Sequence, residues 1–202
     1  MNDNKLTIPF GASNAASAPL ECTNNWPGTD TKVKAGVCAW YDSDYLHFTF
    51  TTAQAPIMCS AFGDQKPVSC DSCVEAFIEP VDGGEYFNFE VNINGSLYVS
   101  RRYGRPNPTR LTLDECKSVL RKANPQITEP TSQYGNDGTW TLSLDIPWQL
   151  LGVHPRAGLR MRGNFYACSS NAVPPYYLTW APIDTPAPDF HRPEYFGELI
   201  LG

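Results

Sequence analysis

A strict two-residue alternation of apolar and polar side chains constrains the fold of this chain more than any other feature. It is clearest over residues 86–93, where Phe87, Phe89, Val91 and Ile93 alternate with Tyr86, Asn88, Glu90 and Asn92. Because successive side chains of a β-strand point to opposite faces, the pattern predicts a strand with one apolar face and one polar face. Asn94-Gly95 follows directly and is a strong hairpin signal, so residues 96–99 are predicted to return as the partner strand.

The same alternation recurs along the chain. It covers residues 45–51, 74–79 and 140–146, and further strands are predicted over 159–168 and 199–201. The 18 prolines and the charged fraction of 18% are typical of strands joined by loops rather than of long helices. These features favour an all-β fold, an antiparallel two-sheet β-sandwich of the immunoglobulin-like or jelly-roll-like kind. A closed barrel is the alternative.

One insertion interrupts the strands. Thr112 and Glu115 have the spacing of a capping box, and three apolar side chains then fall on one helical face: Leu113, Cys116 and Leu120. The spacing predicts one short inserted helix near residues 112–123. A single helical turn is also predicted between Pro147 and Gly152, since proline suits the first helical position and glycine the position after the last.

The chain length of 202 residues suits one β-sandwich domain. The first part of the chain is small and polar and follows neither the strand nor the helix period. Residues 1–25 are therefore interpreted as a loosely ordered lead-in, and residues 26–202 as a single domain.

The acidic balance of the chain argues against nucleic acid as a partner. The formal net charge is -6 and the pI is near 5.0, whereas phosphate binding needs a basic surface. The most basic stretch, residues 101–105, is short and is interpreted as a solvated loop. No apolar run approaches the roughly 18 residues that span a bilayer, so no membrane partner is expected. The sequence does not indicate an oligomeric state.

Seven cysteines are an odd number for a chain of this size: Cys22, Cys38, Cys59, Cys70, Cys73, Cys116 and Cys168. This number suits free thiols in a reducing compartment better than a disulfide framework. No apolar signal segment follows residues 1–5. A cytoplasmic location is therefore favoured, and an extracellular one if a signal peptide has been removed. Cys70 and Cys73 have the spacing of a zinc or redox pair, but without a second pair they are interpreted as structural thiols.

Candidate catalytic groups are few. Glu75 and Glu79 lie four residues apart on one predicted strand and so share a face, as the two carboxylates of a glycosidase might. The three histidines, His47, His154 and His191, are too scattered to predict a triad or a metal cluster. The sequence contains no Gly-x-Ser-x-Gly elbow and no phosphate-binding glycine loop. We therefore assign no catalytic residues.

Aromatic residues are abundant, with five Trp, ten Tyr and ten Phe. Trp180 and Phe190 lie among prolines, which stiffen loops and cannot pair in a sheet. A stiff aromatic loop beside polar strands suits sugar binding, because pyranose faces stack on rings while the hydroxyls need several polar partners. For Trp180, a position in the core fits the sequence equally well.

Several segments, in this order, resemble the family 9 carbohydrate-binding modules and their stand-alone relatives. They are residues 39–46, 71–80 with the core Val74-Glu75-x-Phe77, 89–92, 145–148, 163–165, 178–182 and 190–199. The ending His191-Arg192-Pro193-Glu194-Tyr195-Phe196-Gly197 is the most distinctive, and the match spans about residues 26–202.

The resemblance implies a two-sheet β-sandwich without catalytic activity that holds a sugar between two aromatic side chains. Phe190 falls at one clamp position and Glu75 at a hydroxyl-binding position. Ser69 stands where the second clamp ring is expected, and Glu90 where the family has a binding arginine. Structural calcium is also implied by the family, and no ligands for it are assigned here.

Three hypotheses follow. The first is carbohydrate binding at a site built from six residues: Phe190, Trp180, Glu75, Glu90, Asn92 and Arg192. The second is a glycan-active hydrolase that uses strand carboxylates such as Glu75 and Glu79. The third is an interaction module that has lost sugar binding, as Ser69 suggests. Phe190 is expected to be an exposed ring whose loss leaves the fold intact, and Trp148 to be a core ring.

Overall fold

The computed structural model describes residues 4–29 and 31–202, and strands are its main secondary structure. The strands are β1 Lys5–Ile8, β2 Leu20–Asn24, β3 Lys34–Tyr41, β4 Tyr45–Cys59, β5 Cys73–Glu79, β6 Tyr86–Asn92, β7 Leu97–Arg102, β8 Thr109–Arg110, β9 Leu120–Asn124, β10 Thr131–Pro147, β11 Arg160–Ser169, β12 Tyr176–Thr179 and β13 Gly197–Leu201. The α-helices are α1 Leu113–Ser118 and α2 Trp148–Leu151, and three 3-10 turns cover Ser13–Ala15, Val68–Cys70 and Pro193–Tyr195. Neither α-helix in this part of the chain has the length needed to cross a membrane.

The strands form two layers. One layer has the order β8-β7-β6-β5-β11, with β12 and β13 both paired antiparallel to β11 and β1 paired parallel to β13. The other has the order β2-β3-β4-β10-β9. β2 belongs to both, because Thr23 and Asn24 pair with β12 while residues 20–22 pair with β3. This architecture confirms the predicted β-sandwich, which is antiparallel apart from the β1–β13 pair.

The main core lies between the layers, where aromatic rings of the two sheets meet. The ring centroids of Phe48 and Phe50 on β4 lie 5.2 and 6.3 Å from that of Phe165 on β11. The thiol of Cys22 donates to the carbonyl oxygen of Phe165 at 3.5 Å. The apolar residues of the alternating strands lie in this core, as the period predicted: Leu46, Phe48, Phe50, Val74, Ala76, Phe87, Phe89, Val91 and Ile93.

The opposite face of β5, β6 and β11, here called the outer face, is also buried. Every residue of β5 and β6 is buried, because rings from residues 183–196 cover this face. A second hydrophobic cluster forms there, made of Trp26, Val68, Cys73, Phe77, Tyr86, Tyr166, Cys168, Ile183, Phe190 and Phe196. The polar residues that alternate along β5 and β6 are therefore covered by this cluster and by neighbouring polar side chains rather than exposed to solvent.

The inserted helix is shorter than predicted. Thr112 and Glu115 form the capping box, with the Thr112 hydroxyl accepting from the Glu115 amide at 3.2 Å. The helix ends at Ser118, and residues 120–124 form β9 instead. The prediction of helix up to residue 123 was wrong because Ala123, rather than Leu120, is buried when the segment pairs with β10. Leu120 is 48% exposed.

The helical turn after Pro147 is confirmed as α2, and Gly152 follows it with a φ of 70°. The Trp148 ring is buried, and its indole nitrogen donates to the carbonyl oxygen of Asp42 at 3.0 Å. All seven cysteines are free thiols.

Residues 1–25 were interpreted as a loosely ordered lead-in, but the structure places β1 and β2 within this segment. Residues 5–8 pair with β13, and Leu6 and Ile8 enter the main core. The segment Lys-Leu-Thr-Ile is too short for its alternation to stand out in the sequence. Residues 1–3 lie outside the described part of the chain.

Candidate functional site

A cavity of about 160 Å³ opens on the outer face, under the loop that carries Phe190. Its walls are formed by Ser69, Glu75, Glu90, Arg105, Cys168, Ser170, Tyr177, Pro188, Phe190 and His191. This volume is below the roughly 300–1,000 Å³ that is usual for drug-sized ligands. The cavity is therefore suited to one small polar unit.

Strand register sets the floor of the cavity. Glu90 on β6 lies opposite Glu75 on β5, which lies opposite Tyr166 on β11. Directly opposite residues on antiparallel strands have Cβ atoms about 4.5–5.5 Å apart, so the two carboxyl groups stand side by side. The alternation read from the sequence thus places both glutamates on the face away from the main core.

The carboxyl group of Glu75 is buried and accepts a hydrogen bond from the Cys168 thiol at 3.2 Å. Burial raises the pKa of Glu75 well above its ordinary value, and the neighbouring Cys168 and Glu90 raise it further. The raised pKa favours the protonated form of this carboxyl group. It can then donate one hydrogen bond as well as accept others.

Glu90 is held by the side-chain amide of Asn88, which donates to Oε1 at 2.7 Å. Burial raises the pKa of Glu90 to about 7, while the hydrogen bond from Asn88 and the charge of Arg102 oppose that rise. The charge of this carboxyl group therefore changes near neutral pH. The pair Glu75 and Glu90 offers both donors and acceptors to a ligand.

Aromatic rings form one wall. Phe190 stacks on Tyr166 with ring centroids 4.1 Å apart and an interplanar angle of 10°. Tyr177 stands edge-on to Phe190 at 6.2 Å and 70°, and is half-buried. Phe190 is only 9% exposed, so the expectation of an exposed platform ring was wrong. Its ring is covered because Tyr166 and Trp26 of the second cluster pack against it.

His191 completes the wall beside Arg105. Its Nδ1 atom lies 2.9 Å from the hydroxyl oxygen of Tyr86, and its ring packs 5.0 Å from that of Phe77. Burial lowers the pKa of His191 to about 3, and the charges of Arg102 and Arg105 lower it further. The imidazole is therefore neutral at physiological pH and serves as a hydrogen-bonding group rather than as a cation.

Three of the six predicted site residues meet in this cavity, and three lie elsewhere. Phe190, Glu75 and Glu90 line it together. The Trp180 ring belongs to the main core, 5.5 Å from that of Phe165. Asn92 is fully buried and donates to Asp71 Oδ2 and to the carbonyl oxygen of Ala61, which fixes a neighbouring loop. Arg192 does not line the cavity, and its guanidinium pairs with the Glu194 carboxylate at 2.7 Å.

Sequence reasoning gave no site role to six lining residues: Arg105, Cys168, Ser170, Tyr177, Pro188 and His191. Tyr177 follows Pro174-Pro175, so the same argument from proline-stiffened aromatic segments would have found it. Arg105 belongs to the basic stretch interpreted as a solvated loop, and His191 to the distinctive ending. Ser69, which replaces the expected clamp ring, does line the cavity. Tyr177, on β12, supplies the second ring instead.

A larger cavity of about 720 Å³ lies beside β2 and β3. In the described part of the chain it is lined by small, aliphatic and a few charged side chains, without an aromatic ring. It lacks both the stacking surface and the paired carboxyl groups of the smaller cavity. We therefore place the candidate site on the outer face.

Calcium does not fit the acidic groups of this site. In the described residues, one group of three side chains brings possible metal-ligand atoms within 4.8 Å of one another, namely Cys73, Glu75 and Cys168. Calcium prefers six to eight oxygen ligands, whereas two of these three groups are thiols. Burial also raises the pKa of the Cys73 thiol to about 12, which keeps its sulfur protonated.

Solved structures share this fold. A protein from Bacteroides uniformis ATCC 8492 that has been proposed to bind carbohydrate matches with a TM-score of 0.88 at 24% identity, over 98% of this chain and 99% of that one. A carbohydrate-binding module of family 9 from Caldicellulosiruptor kristjanssonii, solved with glucose, matches with a TM-score of 0.62 at 14% identity, over 98% and 96%. The structure of a module from the same organism with cellotriose matches equally well, over 98% and 93%.

No curated protein matches the sequence. The model of one protein family does match, over residues 11–201, and its description is carbohydrate-binding family 9. That match covers every strand except β1 and every residue that lines the cavity. The chain belongs to carbohydrate-binding family 9.

Proposed function

We propose that this protein binds carbohydrate without cleaving it, and that one sugar unit occupies the outer-face cavity. The observation that carries the proposal is the pair of adjacent carboxyl groups, Glu75 and Glu90, beneath the rings of Phe190 and Tyr177. The family 9 modules from C. kristjanssonii were solved with glucose and cellotriose, which supports a sugar as the ligand.

The chemistry of the walls suits a pyranose. Tyr177 offers part of a ring to the apolar face of the sugar, and the hydroxyls reach the carboxyl groups, Ser69 and His191. The small volume limits the cavity to a single unit or to the end of a chain. Each hydroxyl contact replaces one made to water, so we expect dissociation constants of roughly micromolar to millimolar.

The test is a glycan array followed by calorimetry on the best ligand. Tyr177→Ala should weaken binding at least about tenfold, since a stacking ring contributes on the order of 1 kcal/mol or more. Tyr45→Ala is the matched control, because Tyr45 is also half-buried but lies far from the cavity, beside His47. Equal affinity of the Tyr177→Ala variant and the parent would show that the site is elsewhere. Binding to no glycan would favour the interaction-module hypothesis.

A glycan hydrolase is a second candidate, in a form that differs from the predicted one. Glu79 does not line the cavity, since its carboxylate binds Arg162 at 3.1 Å and the amide of Gly83 at 2.6 Å. Glu79 also lies four positions along β5 from Glu75, a distance of about 13 Å, which exceeds the spacing of glycosidase carboxylates.

The observation that favours a hydrolase is instead the neighbouring pair Glu75 and Glu90, whose pKa values are both raised. Glycosidase carboxylates flank the scissile bond, however, whereas these two stand side by side on one floor. Incubating the protein with its best array ligand and measuring reducing ends separates the two candidates. Release that disappears in a Glu90→Gln variant would favour the hydrolase.

A further inference from the structure

A second groove runs directly into the sugar cavity. It has a volume of about 380 Å³ and shares four lining residues with that cavity: Ser69, Glu90, Arg105 and His191. Its remaining walls are Gln65, Lys66, Pro67, Tyr98, Arg102, Pro108 and Arg110. A ligand in the cavity could therefore extend into the groove without leaving the surface of the protein.

The groove is basic although the chain is acidic overall, with a net charge of -6. Four cationic side chains line it, namely Lys66, Arg102, Arg105 and Arg110, and in the described part of the chain Glu90 is the single acidic residue among its walls. Strand register explains the cluster. Arg110 on β8 lies opposite Ser100 on β7, and Arg102 follows two residues later on the same face.

Most of these cations lack a carboxylate partner. The side chain of Arg102 donates to the Ser100 hydroxyl at 2.7 Å and to the carbonyl oxygen of Arg105 at 3.1 Å. The guanidinium of Arg110 lies 5.3 Å from the centre of the Tyr98 ring. Within residues 4–29 and 31–202, Lys66, Arg102 and Arg110 form no ion pair, whereas Arg105 pairs with Asp189 at 2.6 Å.

Arg102 is the most informative of these residues, because it is only 5% exposed. A buried charge is costly unless an opposite charge compensates it. The groove thus holds one buried guanidinium, three exposed cations and an aromatic ring. Residues 101–105 were interpreted as a solvated loop. Two of them, Arg102 and Arg105, instead line this groove.

We propose that this groove binds the anionic substituent of a glycan, a carboxylate or a sulfate ester, while the neighbouring sugar unit occupies the outer-face cavity. The inference rests on the proposed function and names the class of its ligand, an acidic saccharide. Guanidinium groups bind planar or tetrahedral oxyanions through paired hydrogen bonds, which suits Arg102 and Arg110 to both substituents. Tyr98 offers a ring to the sugar that carries the charge.

The test compares oligosaccharides of matched backbone in three forms: neutral, with a uronic acid, and with a sulfate ester. The parent protein should bind one acidic form at least about tenfold more tightly than the neutral one, and added salt should reduce that preference. The two acidic forms separate the carboxylate from the sulfate as the ligand.

The Lys66→Gln/Arg110→Gln double variant should lose most of the preference and keep its affinity for the neutral form. Both side chains are exposed, so the fold should tolerate the change. The matched control is Arg101→Gln/Lys122→Gln, which removes the same charge from two exposed residues outside the groove.

Equal affinity for neutral and acidic forms would overturn this inference and leave the proposed function intact. An equal loss in the control variant would also overturn it, since net charge rather than the groove would then explain the preference. If none of the three forms binds although the glycan array identifies a neutral ligand, the inference fails and the proposed function stands.

Discussion

At the scale of single residues, Glu90 couples the site to pH. Its carboxyl group has a folded pKa of about 7 against an ordinary value of 4.5, because burial disfavours the charged form. Between these two values the folded protein holds a proton that the unfolded chain releases, so this residue makes the free energy of unfolding fall as pH rises. Above the folded pKa the loss is complete.

Glu90→Gln removes this dependence, because the amide keeps the shape of the side chain but does not ionise. We expect the variant to be more stable than the parent at pH 8, with the difference shrinking toward zero as pH falls to about 4.5. Denaturant unfolding of both proteins from pH 4 to pH 8 measures it. Glu21→Gln, at an exposed position of β2, should leave stability nearly unchanged across that range. A constant difference at all pH values would contradict the role given to Glu90.

Phe190 is a structural residue as well as a wall of the site. Its ring stacks on Tyr166 and contacts Trp26, so Phe190→Ala should cost about 3–5 kcal/mol of the free energy of unfolding in addition to weakening sugar binding. Phe190→Leu keeps much of the buried volume, and we expect it to lose less stability while still losing the stacked ring. Denaturant unfolding beside calorimetric titration separates the two effects. If Phe190→Ala is as stable as the parent, the Phe190 ring does not contribute to the packing, as the sequence analysis expected.

At the scale of elements, α2 anchors the end of β10. The Trp148 ring packs edge-on to that of Tyr41 at 6.1 Å, and its amide donates to the carbonyl oxygen of Asp44. Trp148→Ala should therefore cost about 3–5 kcal/mol, a large share of the roughly 5–15 kcal/mol of a typical domain. Gln149→Ala, at the exposed neighbouring position, is the control and should change the free energy of unfolding by less than about 0.5 kcal/mol.

Elements with a clear local period could be predicted, and those decided by distant partners could not. β6 is visible in the sequence because its alternation is unbroken over residues 86–93. β9 was assigned to the helix because Leu113, Cys116 and Leu120 have helical spacing, and only pairing with β10 makes that segment a strand. The burial of Phe190 likewise depends on Tyr166, a residue 24 positions away in the chain.

At the scale of the whole molecule, charge is unevenly distributed: the chain is acidic overall, yet one groove on its surface is basic. The net charge of -6 correctly describes the chain, but the sequence does not show that Arg102, Arg105 and Arg110 face one groove. Their grouping depends on the register of β7 with β8 and on the loop between them. The site was predicted in part for a similar reason. The positions of Glu75 and Glu90 follow from the alternation along their strands, whereas the position of Trp180 depends on how the two sheets pack.

β2 is hydrogen-bonded to both layers and therefore joins them along one edge of the sandwich. β8 and β9 are the edge strands farthest from β2 in the two layers, and the cavity lies on the layer that contains β8. The two layers cannot separate along β2 without breaking backbone hydrogen bonds. The groove and the cavity lie on the outer face of one layer rather than between the layers, so a ligand can reach both while the two layers stay joined.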